Sequence, residues 1–273
     1  MAPKWLLGIR GQVPRPAGIL LGLVPIIVLM ALWTWATWGM IEERWISPTI
    51  LPSPMEVVGS IPRLLTVSID EAGFFHHIWT SLWRVGLGYL LALAIVLPLG
   101  IAMGAFGSIR STFAPMTTAS GYIPIATLLP LTMAWFGTQE KQKVIFLALA
   151  FGIYLLPMVV RAIDAVPDVY LRTAYTLGAT RWQAVFRVLL PVALPDLWHG
   201  MRLAFGVGWT YLVLAEVVVL SGGLGHVIQI AQRRGPREHI YLVIVVITLI
   251  AWAADLIWER LGRVLFPYRR SHK

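Results

Sequence analysis

Residues Arg172–Pro195 read RTAYTLGATRWQAVFRVLLPVALP, and the fold follows from what that stretch can and cannot be. It lies between long apolar runs yet carries Arg172, Arg181 and Arg187, charges that hydrocarbon does not tolerate on an isolated helix. Its spacing predicts a basic helix–turn–helix at a membrane surface. Asp164 and Pro167 mark the first helix start, because Pro suits a first turn where its missing N–H is not needed. Gly178 ends that helix, since Gly takes the left-handed C-terminal conformation without strain. Thr180 and Gln183 have the T-x-x-Q spacing of a capping box opening a second helix. Trp182, Val185, Phe186 and Leu189 form its expected apolar face, with Arg181 and Arg187 elsewhere on the wheel. Pro191 is expected to stop it.

Around this hairpin the composition is that of a membrane protein. Of 273 residues, 58% are hydrophobic and only 13% charged, outside the soluble range. The absence of cysteine excludes a disulfide framework, a thiolate metal site and a thiol nucleophile. A net charge of +9 sits mostly at the ends of apolar runs, which points to topology control and anionic lipid rather than nucleic acid. Six runs approach the roughly 20 residues that cross a bilayer: 18–41, 79–106, 113–136, 144–162, 193–220 and 240–261. The expected fold class is therefore all-α, polytopic, with six transmembrane helices. The first run is longer than a signal core, lacks a small-x-small cleavage site and should persist as an anchor. The organisation expected is a tail (1–17), a first span with an outer connection (18–78), a core (79–262) holding the hairpin at 164–192, and a basic tail (263–273).

Charge sets the orientation. With both termini in the cytoplasm, that side holds Lys4, Arg10, Arg15, Arg110, Arg161, Arg172, Arg181, Arg187, Arg260, Arg263, Arg269, Arg270 and Lys273. The opposite side holds Arg44, Arg63, Lys141, Lys143, Arg233, Arg234 and Arg237, so the positive-inside bias favours this choice. The hairpin then faces the cytoplasm. On the outer side, Ser47–Pro54 is expected to be extended by its prolines, and Met55–Leu65 to form a short amphipathic helix. That connection serves either as packing on the bundle rim or as a docking surface for a binding protein. His76 and His77 are expected to be interfacial rather than joint metal ligands, because helix neighbours point apart.

The hairpin resembles the "EAA loop" of ABC importer permeases. Arg172-Thr173-Ala174 stand at the E-A-A positions, Gly178-Ala179 at the glycine, and Val188-Leu189-Leu190-Pro191 at the closing element. Arg172 and Thr173 depart from the pattern, so a contact made through the family's acid is not carried over to Arg172. The segments Ile50-Leu51-Pro52-Ser53-Pro54, Pro124–Leu131, Trp135-Phe136-Gly137 and Gly206-Val207-Gly208-Trp209 look like the permeases for nitrate, taurine, aliphatic sulfonates and bicarbonate. The resemblance covers residues 18–265 and implies a type I importer fold in a bacterial inner membrane. It implies a second copy of the chain, a nucleotide-binding ATPase subunit, and a periplasmic or lipid-anchored substrate-binding protein. It assigns ATPase coupling to Thr173, Ala174, Gly178, Ala179, Thr180, Arg181, Gln183, Leu190 and Pro191. The chain lacks a G-x-x-x-x-G-K-[ST] loop. No cofactor is expected on it, and ATP and Mg belong on the partner subunit.

A translocation pathway is expected where the spans are irregular or polar. Pro115, Pro124 and Pro130 interrupt the third run, and broken backbone at membrane depth lines a cavity or is covered by protein. Tyr122, Thr127 and Thr132 surround that break. Arg202, Trp209 and Glu216 recur every seven residues and fall near one face of span five. Arg202 is close enough to the membrane edge to snorkel. Glu216 is either half of a buried ion pair, with Arg84 the candidate partner, or an interfacial hydrogen-bonded acid. Asp255, Trp258 and Glu259 have a structural role by default. Trp135 and Trp209 are candidates for a hydrophobic constriction. Gly100 and Gly104 form a G-x-x-x-G that serves either a contact with a second copy or packing within the subunit.

The function expected is import of a small anion by alternating access, with the hairpin as a rigid lever. A same-fold permease for a neutral or cationic solute, such as a thiamine precursor, is the alternative. An autonomous secondary transporter would need an internal inverted repeat, which is not detected. An enzyme would need a motif such as H-E-x-x-H or G-x-S-x-G, also not found.

Overall fold

A computed structural model of the chain describes residues 13–40, 44–66, 72–218, 222–234 and 236–269, which are almost entirely helical. Lys4, Arg10, Arg270 and Lys273 of the charge argument lie outside the described residues, as do Ile41 and Leu220, the expected ends of spans one and five. The chain divides into two units: residues 1–66 with 231–242, and residues 67–230 with 243–273.

The first unit is built on α1 (Arg15–Ala36), whose apolar side chains are almost all exposed, as a lipid-facing helix requires. Two short helices follow, α2 (Pro54–Gly59) and α3 (Ile61–Thr66). The single helix expected over Met55–Leu65 is thus divided at Ser60. Pro62 explains the break, because its ring clashes with the carbonyl one turn back. Ser53 caps α2 through a capping box with Glu56. Ser47–Pro54 is not extended throughout. Pro48 takes the second position of a turn in which the Ile50 N–H donates to the Ser47 carbonyl at 2.8 Å, the place Pro prefers. Trp33 and Tyr241 fix this segment by donating to the Pro52 and Ile50 carbonyls, each at 2.9 Å.

The second unit is a bundle of α4 (Phe74–Ala105), α7 (Glu140–Asp164) and α10 (Leu190–Val218), with α12 (Arg237–Leu265) contributing its part from Val243 onward. Glycines let α4 approach α7. A Cβ at Gly88 would come 2.7 Å from the Leu147 Cβ, one at Gly100 2.6 Å from the Val159 Cγ1, and one at Gly104 2.6 Å from the Ile163 Cβ. The Gly100/Gly104 motif is therefore occupied by packing inside the subunit. Val96, Leu155, Val159, Ile163, Leu189, Ala193, Leu197 and Ala204 form one buried cluster across these helices. In lipid such a cluster is held by close van der Waals packing rather than by removal from water.

Between α4 and α7 the chain makes α5 (Gly107–Ser120), a 3₁₀ turn (Ile125–Thr127) and α6 (Leu128–Phe136). The two halves meet at 88°, so the expected interruption of the third run is a sharp break. It begins before Phe113. Among the described residues, five helices are long and apolar enough to cross a membrane, or six with this bent pair counted as one. The remaining helices are α8 (Asp168–Thr176), α9 (Arg181–Ala184) and α11 (Leu224–Arg234).

Asp164 does not start α8. It ends α7 and takes a two-pronged ion pair from Arg110, 2.8 Å on each arm. Pro191 does not stop the helix after Thr180 either. A π-helical turn at Val185–Leu189 joins α9 to α10, and Arg181–Val218 runs as one helix of 38 residues. The wider turn holds the Arg187 carbonyl, with which the Pro191 ring would collide in a regular helix, and a π turn relieves such conflicts.

Candidate functional site

The hairpin is assembled by local rules. Helix α8 closes in a Schellman motif: the Gly178 N–H donates to the Tyr175 carbonyl and the Ala179 N–H to the Ala174 carbonyl, both at 3.0 Å. Gly178 has φ +80°, where an L side chain is strained. Two residues later the capping box forms as spaced: the Thr180 N–H donates to Gln183 Oε1 at 2.8 Å, and the Gln183 N–H to Thr180 Oγ1 at 3.4 Å. Ala174 is buried, Leu190 partly buried, and Thr173, Gly178, Thr180, Arg181 and Pro191 are exposed.

The expected single apolar face divides in two. Val185 and Leu189 enter the core, whereas Trp182 and Phe186 stay more than half exposed and stack at 5.8 Å. With Leu177 at 82% exposure, they give the hairpin an apolar rim beside its arginines. An exposed apolar cluster of this kind marks a surface that meets either another protein or lipid.

At one end of α10 a charged network is sealed inside the bundle. Arg84 Nη1 donates to Glu216 Oε1 and to the Gly222 carbonyl, each at 2.7 Å. Its Nε and Nη2 grip Glu140 at 2.7 and 2.6 Å. Arg84 and Glu216 are 1% and 0% exposed, so each needs the other: an unpaired charge there costs several kcal/mol. Glu216 also accepts from the Ser81 hydroxyl, at 2.8 and 2.9 Å, and from the Gly225 N–H at 2.9 Å. The Leu224 N–H donates to Ser81 Oγ at 2.8 Å, and the Gly223 N–H to His77 Nδ1 at 3.1 Å. His77 is therefore buried within the network rather than interfacial, while His76 is exposed. Lys143, expected in the outer loop, is fully buried in α7 with Nζ 3.9 Å from Glu140. The Arg84–Glu216 pair was one of the two readings that the sequence left open for Glu216. Ser81, Glu140 and Lys143 were not legible there, although Ser81 stands three residues before Arg84 on the same helix face.

Toward its other end α10 carries a more open network. Arg202 donates from Nε and Nη2 to the Asp255 carboxylate at 2.5 and 2.6 Å, and from Nη2 to Glu259 at 3.1 Å. Glu259 also meets Arg263. Arg202, Glu259 and Arg263 border a cleft of about 500 Å³ with Asp196, Trp198, His199, Trp258 and Phe266. Trp209 lies buried between the two networks, edge-on to Phe205, and its indole N–H has no partner among the described residues. The heptad stripe Arg202–Trp209–Glu216 thus faces inward, toward other helices of its own subunit.

Around the break, Tyr122 is 83% exposed and Trp135 65%, and Thr127 is exposed. Thr132 is fully buried and accepts from Gln142 Nε2 at 2.9 Å, so it fastens α6 to α7. Trp135 and Trp209 occupy these separate surroundings, one exposed and one enclosed. A pair that sequence reasoning missed stands nearby. The Tyr154 and Tyr211 hydroxyls lie 3.1 Å apart, and both rings pack on a cluster containing Ile125 and Leu129 of the broken run. No spacing rule joins residues so far apart in the chain.

A helical bundle with a broken span, and an exposed hairpin leading into a core helix, is the architecture expected of a membrane permease. The family of binding-protein-dependent transport system inner membrane components matches residues 94–271, and the chain belongs to it. It is 32% identical to the taurine transport permease TauC of Escherichia coli (strain K12), over 97% of this chain and 93% of that protein. It is 28% identical to SsuC of Bacillus subtilis (strain 168), a permease protein assigned to aliphatic sulfonates transport, over 84% of this chain and 81% of that one. A solved inward-facing MetNI methionine ABC transporter shares the fold, with TM-score 0.63 and 21% identity over 70% of this chain and 94% of that chain. The chain is thus the multi-pass inner-membrane permease subunit of an ABC importer, a class that works with an ATPase and a substrate-binding protein.

Proposed function

We propose that the chain imports a small organic sulfonate, with taurine the first candidate, as a homodimer driven by two copies of a separate ATPase subunit. The likeness to permeases for taurine and aliphatic sulfonates supports the solute. The mechanism rests on one observation: the hairpin continues without interruption into α10. In this reading both termini and the hairpin are cytoplasmic, and ATP and Mg bind on the partner. Thr173, Ala174, Gly178, Ala179, Thr180, Arg181, Gln183, Leu190 and Pro191 form or support the gripped surface, to which Leu177, Trp182 and Phe186 add the apolar rim.

ATP-driven closure of the motor displaces the hairpin, and the fused helix carries that displacement into the bundle. Alternating access follows when two bundles rock against one another. The solute passes along the face bearing Tyr122, Thr127 and Trp135, while Thr132 holds α6 in place. Arg202, Trp209 and Glu216 fix α10 to its neighbours.

Gly178→Asp tests the lever. An L residue at φ +80° costs about 1–3 kcal/mol locally, too little to prevent insertion but enough to change the angle between α8 and α9. Uptake of labelled taurine in cells supplying the ATPase and binding protein should fall at least tenfold, with normal amounts of the variant in the membrane. Full uptake by that variant would refute the lever.

A further inference from the structure

We propose that the Tyr154–Tyr211 hydroxyl pair is a solute contact in the translocation pathway, donating hydrogen bonds to the oxyanion of the passenger. The inference rests on the anion-import reading above and adds the residues that touch the solute.

Position supports it. Tyr154 is fourteen residues from the start of α7 at Glu140 and ten from its end at Asp164, about 21 and 15 Å along the axis. Tyr211 is seven residues, or about 10 Å, from the Val218 end of α10. Both hydroxyls therefore lie well inside the apolar core rather than at its edge. Both residues are half-buried, and they pack against the 3₁₀ turn and first turn of α6 where the third run breaks.

Chemistry supports it too. Two phenols carry two O–H protons, and their mutual bond at 3.1 Å uses one. The second proton is available to an acceptor, and a sulfonate brings three oxygens. Trading one neutral hydroxyl–hydroxyl bond for two bonds to an anion is favourable, because charge-assisted bonds are roughly twice as strong. A neutral donor also suits passage, since a site must bind well enough to admit the solute and weakly enough to release it. The two arginines buried or half-buried in the bundle around them are committed elsewhere: Arg84 of α4 to Glu216 and Glu140, and Arg202 of α10 to Asp255 and Glu259.

The experiment uses the whole complex, permease with ATPase, in proteoliposomes with taurine-loaded binding protein. Taurine uptake and ATP hydrolysis are measured together for wild type, Tyr154→Phe, Tyr211→Phe and the double variant. Each single variant should lower taurine moved per ATP about tenfold, the loss of one hydrogen bond to a charged group, while stimulated ATP hydrolysis and melting temperature hold. Unchanged taurine per ATP in both single variants overturns the proposal. So does a parallel fall of uptake, hydrolysis and melting temperature, which would make the pair a clamp between α7 and α10. A wild-type complex that transports but prefers solutes without an oxyanion defeats the anion reading and this inference together. Wild-type taurine import with unimpaired Phe variants defeats the inference alone.

Discussion

Helix α10 is tied to its neighbours twice, and the two ties differ in what surrounds them. At Glu216 the pair with Arg84 is closed off, 0% and 1% exposed, with hydroxyl and backbone donors completing the carboxylate. At Arg202 the guanidinium is 23% exposed and its partners Asp255 and Glu259 are 46% and 32% exposed. The distances at the two sites are similar. The energetics are not, because a buried charge that loses its partner has no water to turn to, whereas an exposed one is resolvated at little cost. Short ion pairs read alike from coordinates, and burial decides which one holds the helix.

The sharpest way to break this contrast is Glu216→Gln. It leaves the Arg84 charge inside with only the half-exposed Glu140 to balance it, and should cost about 3–5 kcal/mol, measured by thermal melting in detergent. A loss below about 1 kcal/mol would make the two ties equivalent. Asp255→Asn should cost less than about 1 kcal/mol, since Glu259 still accepts from Arg202. Raising salt should shrink the Asp255→Asn effect but leave the Glu216→Gln effect nearly unchanged.

The smallest effect belongs to a third pair, at 2.8 Å, between Arg44 in the loop after α1 and Glu56 of α2. Burial works to raise the Glu56 pKa, but the Ser53 N–H and the Arg44 guanidinium outweigh it and hold the carboxyl below its ordinary value of 4.5. A depressed acid stabilises the fold above its unfolded pKa, and that contribution is lost as pH falls through the folded value. Lowering the pH below about 4.5 should therefore loosen the 44–59 segment in the wild type. Arg44→Gln should reduce that pH dependence, read by hydrogen exchange at the start of α2.

What the sequence disclosed, and what it withheld, follows the range of each force. The Schellman closure at Gly178 and the capping box at Thr180 are made by residues within five positions, so spacing alone revealed them. Arg84 and Glu216 were legible across 132 positions as a candidate pair, because charges inside apolar runs are rare and usually pair, but an interfacial Glu216 read equally well. Pro191 misled because a proline rule written for regular helices does not anticipate a π turn. Asp164 misled because it satisfies the rule for a helix start while serving a distant arginine. Tyr154 and Tyr211 gave no signal, since a tyrosine in an apolar helix reads equally as packing.

The π turn at Val185–Leu189 has a mechanical corollary. A rod of 38 residues is about 57 Å long, and its Glu216 end is nailed down by the sealed network. A tilt of about 10° at the free end then sweeps that end through about 10 Å, while the nailed end barely shifts. Under the proposed coupling the molecule would work as an oar in a fixed rowlock: strength at the pivot, travel at the handle.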